Sequence, residues 1–141
     1  MFTPASARAA SVYRNFSVQG GVEGATPHQL IVLLYDGLLA AIAQARGALA
    51  RGDVAAKGRH VGRAVRIVQE GLKDGLDMEE GGEIAANLGR LYDYCADRLT
   101  FANLHNDQAA LVEVASLVET LAQAWKSMDL NSLHSAGAVH A

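Results

Sequence analysis

Few side chains in this sequence could do covalent or metal chemistry, and they are scattered. The five histidines, His28, His60, His105, His134 and His140, fall at helix ends, on one helix flank and in the C-terminal tail. A di-iron centre in a helical bundle needs inward carboxylates and a Glu-x-x-His on two helices, and no Glu-x-x-His occurs. Cys95 stands among Leu91, Tyr92 and Leu99 at helical spacing, where a small buried thiol is expected rather than a nucleophile beside a base. Neither a Gly-x-x-x-x-Gly-Lys-Ser/Thr nor a Gly-x-Gly-x-x-Gly string is present to cradle phosphate. The sequence therefore predicts no enzyme, no metal and no cofactor, and its function is expected to lie in binding.

Composition narrows the kind of binding. The chain has 141 residues, 50% hydrophobic and 19% charged, which fits one folded domain. Its net charge of −3 offers no general attraction to phosphate backbones, so no nucleic acid is expected. Arg59, Arg63 and Arg66 do share one helix face, but Glu70 continues that line, as in a solvated charged face. With one cysteine, no signal peptide, and a most apolar run of only Leu30 to Leu34 before Asp36, the chain is expected to stay in the cytoplasm without membrane insertion.

The elements that must position any binding surface are helices. Thr26-Pro27-His28-Gln29 reads as a capping box with proline at the first helical position. Helix one should run to about Arg51, with Gly52 as a left-handed stop and Asp53 as the next N-cap. Val54, Val61, Val65, Val68 and Leu72 give the second helix an apolar stripe that fades at Asp74-Gly75. Leu76 to Gly82 has no period and reads as a loop. Ile84, Leu88, Leu91, Cys95, Leu99 and Ala102 mark a third helix; Asn106 is the expected cap of a fourth, striped by Leu111, Val114, Val118, Leu121, Ala122 and Trp125. Short connections between long helices favour antiparallel neighbours. The predicted fold is all-α: an antiparallel up-down-up-down four-helix bundle over 26–128, with a flexible N-terminal arm (1–25) and a disordered C-terminal tail (129–141).

A bundle helix needs one apolar stripe, so apolar residues beside it are candidates for a partner surface. At about 100° per residue, Val32, Tyr35 and Leu39 fall off the stripe of helix one. Ala64, Ile67 and Gly71 run beside the valines of helix two. Tyr94 and Phe101, seven residues apart, lie off the stripe of helix three, and Leu117 and Met128 off that of helix four. An amphipathic partner helix laid between two bundle helices would use such shoulders. Gly58, Gly62 and Gly71 make helix two intrinsically poor, and the expected reasons are close packing or softness.

Several strings resemble the flagellin-specific export chaperone family, FliS: Ala25-Thr26-Pro27-His28-Gln29-Leu30, Leu34-Tyr35-Asp36-Gly37, Leu76-Asp77-Met78, Gly81-Gly82-Glu83-Ile84-Ala85, Asn87-Leu88, Leu91-Tyr92-Asp93-Tyr94, and Arg98-Leu99 with Ala102-Asn103. With Val114 and Trp125 the resemblance spans about residues 11 to 127. It implies an antiparallel four-helix bundle whose partners are the C-terminal region of flagellin and the flagellar type III export gate. Tyr13 matches the family's arm tyrosine, and the resemblance implies that this arm covers the substrate surface when flagellin is absent. Cys95 stands where the family has a larger apolar residue, and helix two is richer in glycine than the family pattern.

Overall fold

The sequence organises this chain through its helix ends. At the first, Thr26 Oγ1 accepts from the Gln29 backbone N–H at 3.1 Å while Gln29 Oε1 accepts from the Thr26 N–H at 2.9 Å, closing the capping box. Helix α1 then runs Pro27–Ala50. Gly52 turns the chain with φ 74°, and Asp53 Oδ1 accepts from the Ala56 N–H at 3.1 Å to start α2 (Val54–Arg66). The turn chemistry is as expected. In this computed structural model the backbone is described for residues 25–140 and the side chains for 25–128. The N-terminal arm with Tyr13 lies outside the described residues, as do the side chains of the expected tail.

The second helix ends at Asp74-Gly75 as expected, but its last turns are not α-helical. It widens into a π-helical segment, Ile67–Lys73, in which the Asp74 N–H reaches back five residues to the Gln69 carbonyl at 3.0 Å. Helix α3 is Met78–His105. Its first turn is capped by Asp77 and then broken at Gly82, whose φ of 52° lies in the left-handed region that glycine tolerates. The glycine pair therefore interrupts regular structure as expected, but inside a helix. A side chain on neighbouring Gly81 would place its Cβ 2.6 Å from that of Ala85, so the two glycines are needed for different reasons.

Asn106 is not the cap of the last helix. It closes α3 in the left-handed conformation (φ 52°, ψ 47°), and Asp107 instead accepts from the Ala110 N–H at 3.2 Å. The buried Lys57 donates to the Asn103 carbonyl at 2.8 Å and to Asn106 Oδ1, placing a cation on the exposed carbonyls of that helix end. Helix α4 is Gln108–His140 and so continues through residues given above to a tail.

Contacts between distant residues fix an antiparallel bundle. Arg46 meets Gln108 and His28 meets Trp125, so α1 and α4 run in opposite directions; Lys57 meets Asn103 and Lys73 meets Asp93, so α2 and α3 do too. Each helix packs on its two neighbours in sequence around the square, and α1 on α4 closes it. Across the diagonal, the hydroxyls of Tyr35 and Tyr92 meet at 2.7 Å. The described residues form four helices and no strand.

Two expectations about the core are overturned. Tyr35, Ala64, Ile67 and Gly71 are buried in the bundle and not on its surface. Conversely, Val54 and Ile84, assigned to core stripes, are 64% and 72% exposed. On α2 and α3 the errors share a cause. The inward lines of α2 and α3 are built from small residues, Ala64, Gly71, Ala85, Gly89 and Ala96 among them, so that helices approach closely. A reading that follows bulky side chains misses such lines.

Candidate partner-binding surfaces

With the core filled by Leu34, Leu38, Ile42, Val68, Leu72, Leu99, Leu111 and Val114, the bundle still shows water a surplus of apolar side chains, and these collect at its two ends. The lower end, where α1 begins, α2 finishes, α3 begins and α4 passes, contains a cavity of about 250 Å³. Its walls are almost wholly apolar and include Ile31, Leu72, Leu76, Leu88, Tyr92 and Trp125. Leu76, which forms one wall, packs over Gly89 on α3, where a Cβ would lie in ordinary contact 3.6 Å from Leu76 Cδ1.

A reciprocal clasp holds the cavity's far wall. The rings of His28 and Trp125 stack with centroids 5.1 Å apart and planes 15° from parallel. His28 Nε2 donates to the Trp125 carbonyl at 2.9 Å, and Trp125 Nε1 donates to the His28 carbonyl at 3.3 Å. Around this end, Met78, Ile84 and Met128 are 56%, 72% and 52% exposed. Three apolar residues at one end of a small bundle exceed the single exposed leucines that a surface tolerates.

The upper end carries a different chemistry. Tyr94, Arg98, Phe101 and His105 follow one line along α3. The Tyr94 hydroxyl donates to Glu113 on α4, Arg98 Nε donates to the other oxygen of that carboxylate at 2.9 Å, and the guanidinium sits 4.7 Å from the Phe101 ring centroid. His105 packs at 4.4 Å on the same ring. The two hydrogen bonds and the nearby cation hold the Glu113 carboxyl below its ordinary range, while the same bond to Glu113 pushes the Tyr94 hydroxyl up. Leu104 and Val112 stand exposed beside this line. Aromatic and arginine side chains, already oriented and flanked by apolar ones, make the composition of a protein interface.

Between the ends lies the outer face of α1. This helix carries only two charges, Asp36 and Arg46, in 24 residues. It is long and apolar enough on length and composition to cross a membrane, yet it is the central packing element of the bundle, with 39% of its most apolar stretch buried. Val32 and Leu39 sit half-buried on its flanks, with Ala40 and Ala43 exposed.

Comparison with known proteins agrees with the sequence strings and the architecture. The family described as flagellar protein FliS matches residues 9–132. The chain is 48% identical over 128 residues to the flagellar secretion chaperone FliS of Salmonella typhimurium, covering 91% of this chain and 93% of that protein. This chain belongs to the FliS family. It is also 43% identical to the flagellar secretion chaperone FliSB of Pseudomonas aeruginosa (84% of this chain, 93% of that one) and 35% identical to FliS of Bacillus subtilis (77% and 79%). The FliS match thus covers the whole bundle, both apolar ends included.

Of the residues singled out from sequence, the structure leaves Tyr94 and Phe101 exposed and Val32, Leu39 and Leu117 half-buried at the seams. Tyr35, Ala64, Ile67 and Gly71 belong to the core, closed to a partner laid on the folded FliS-type bundle. At the lower end sequence reasoning singled out Met128 and missed His28, Leu76 and Leu88, which come together only through the fold. The Leu76-Asp77-Met78 and Gly-Gly-Glu-Ile-Ala strings were the one signal there, since apolar residues in an aperiodic turn have no core helix to serve.

Proposed function

We propose that this FliS-family chain binds the C-terminal segment of flagellin in the cytosol, keeps it from polymerising and hands it to the flagellar type III export gate. The observation that supports this most is the placement of exposed apolar side chains at both ends of a bundle whose core is already filled. The ends are separated by roughly the length of α1, about 36 Å at ~1.5 Å per residue. One compact ligand does not reach both; an extended segment with apolar helix faces does. Ordering such a segment is entropically costly, so affinity comes from the large surface wrapped rather than from one pocket. Covering flagellin's assembly surface is then the whole activity, and no catalysis, metal or nucleotide enters it.

In this reading Trp125 and Leu88 receive an apolar side chain in the lower cavity, and Tyr94 and Phe101 with Val32, Leu39 and Leu117 carry the remainder. Tyr13, outside the described residues, keeps the role that the family resemblance implies, a cover for the surface when flagellin is absent. Titration calorimetry with the C-terminal segment of flagellin tests the reading. Heat of binding, co-elution and a change in the fluorescence of Trp125, the only tryptophan, are expected. No heat and no co-elution at micromolar concentration would contradict it.

A further inference from the structure

Away from the apolar ends, the most one-sided charge in the sequence lies along α2. From Arg51 to Arg66 the chain holds five cationic residues against Asp53 alone, in a protein whose net charge is −3. Lys57 is turned inward onto the end of α3, while Arg51, Arg59 and Arg66 are exposed and Arg63 is half-buried. Residues 59, 63 and 66 follow one line on the helix, opposite the buried Val61 and Ala64. Glu70 pairs with Arg66 at 3.0 Å and closes the lower end of that line.

Two further features belong to this face. His60, on the flank of α2 beside the line, has a buried Nδ1 with no hydrogen-bond partner among the described residues. Burial first, then Arg63, Arg59 and Arg51, hold its imidazole below the ordinary histidine value against the weaker pull of Asp53, so the fields of three arginines overlap at this one ring. Gly62 lies between Arg59 and Arg66 and is exposed, and a Cβ there would meet nothing within 4 Å among the described residues. The described bundle has no internal packing use for that glycine, which leaves a flat floor among the arginines where another backbone can come close.

We propose that the arginine-lined outer face of α2 is a second docking surface, which takes an acidic helical segment of a partner protein. Cations at three- and four-residue spacing along one helix face match carboxylates repeated at the same spacing on a helix packed alongside. From Arg59 to Arg66 the line covers about 10 Å at ~1.5 Å per residue, two turns of helix. That is short for a phosphate backbone, and Glu70 at its end repels one. The surface is separate from both apolar ends and does not depend on what they bind.

The test uses the full chain at low ionic strength and three labelled probes: a synthetic peptide with glutamates along one helical face, a scrambled peptide of equal composition, and a DNA duplex of equal charge. The striped peptide is expected to bind roughly tenfold more tightly than either other probe, and Arg59→Gln with Arg63→Gln to lose roughly that factor. Gly62→Glu, which sets a carboxylate in the floor, should weaken binding similarly, whereas Arg90→Gln on α3 should leave it unchanged. The His60 imidazole, followed by NMR, should titrate at higher pH in the complex, because partner carboxylates offset the arginine field. Equal binding of the scrambled peptide, tighter binding of the duplex, full affinity in the folded double variant, or an equal loss in Arg90→Gln would each overturn the proposal.

Discussion

The hydroxyls of Tyr35 and Tyr92 meet inside the bundle, and burial pushes both above the ordinary tyrosine value. Their effect on stability has a definite sign. Below the unfolded-chain value of about 10 the contribution is complete; above it the unfolded chain sheds protons that the fold retains, so stability falls as pH rises. Thermal unfolding followed at increasing alkaline pH should show this decline, and the Tyr35→Phe, Tyr92→Phe double variant should flatten it. Close by, burial raises the Cys95 thiol to about 11, so a thiol reagent at neutral pH should label it only as fast as the chain unfolds. Two aspartate substitutions separate core from surface. Ile67→Asp puts a charge where the side chain is 2% exposed, and circular dichroism should show it unfolded; Phe101→Asp, at a 38% exposed site, should keep its cooperative melt and lose flagellin binding.

At the scale of elements, the glycines sort into those the fold needs and those it does not. Gly82→Ala forces a side chain into a left-handed conformation and should cost about 1–2 kcal/mol by chemical denaturation. Gly62→Ala removes an exposed helix breaker with room for a methyl group and should add about 1 kcal/mol. Helix starts and stops were legible because capping is local: Thr26, Gly52 and Asp53 do what their neighbours dictate. The exchange of roles between Asn106 and Asp107 was not, because Asn106 is held from afar by Lys57. The core lines of α2 and α3 were illegible for a different reason. Close packing selects Ala64, Gly71, Ala85 and Gly89 by how near another helix comes, which no single-helix pattern records. Beyond Ile67 the π-helical turn also breaks the 100° step on which angular reading rests.

For the whole molecule, the antiparallel order brings residues far apart in sequence to a common end. His28 with Trp125, and Leu76 with Leu88, are neighbours only because α1 and α4 run opposite ways and the turn before α3 folds back on Gly89. That is why most of the lower surface, Met128 excepted, escaped a reading made helix by helix, while Tyr94 and Phe101, both on α3, did not. The central claim is that an extended flagellin segment covers both ends of a bundle that stays folded. Oxidative footprinting of the side chains, with and without the flagellin C-terminal segment, tests it most directly. The claim predicts that Met78 and Met128 at the lower end and Phe101 and Leu104 at the upper end become protected together. A segment that binds yet leaves either pair as reactive as in the free protein would contradict it.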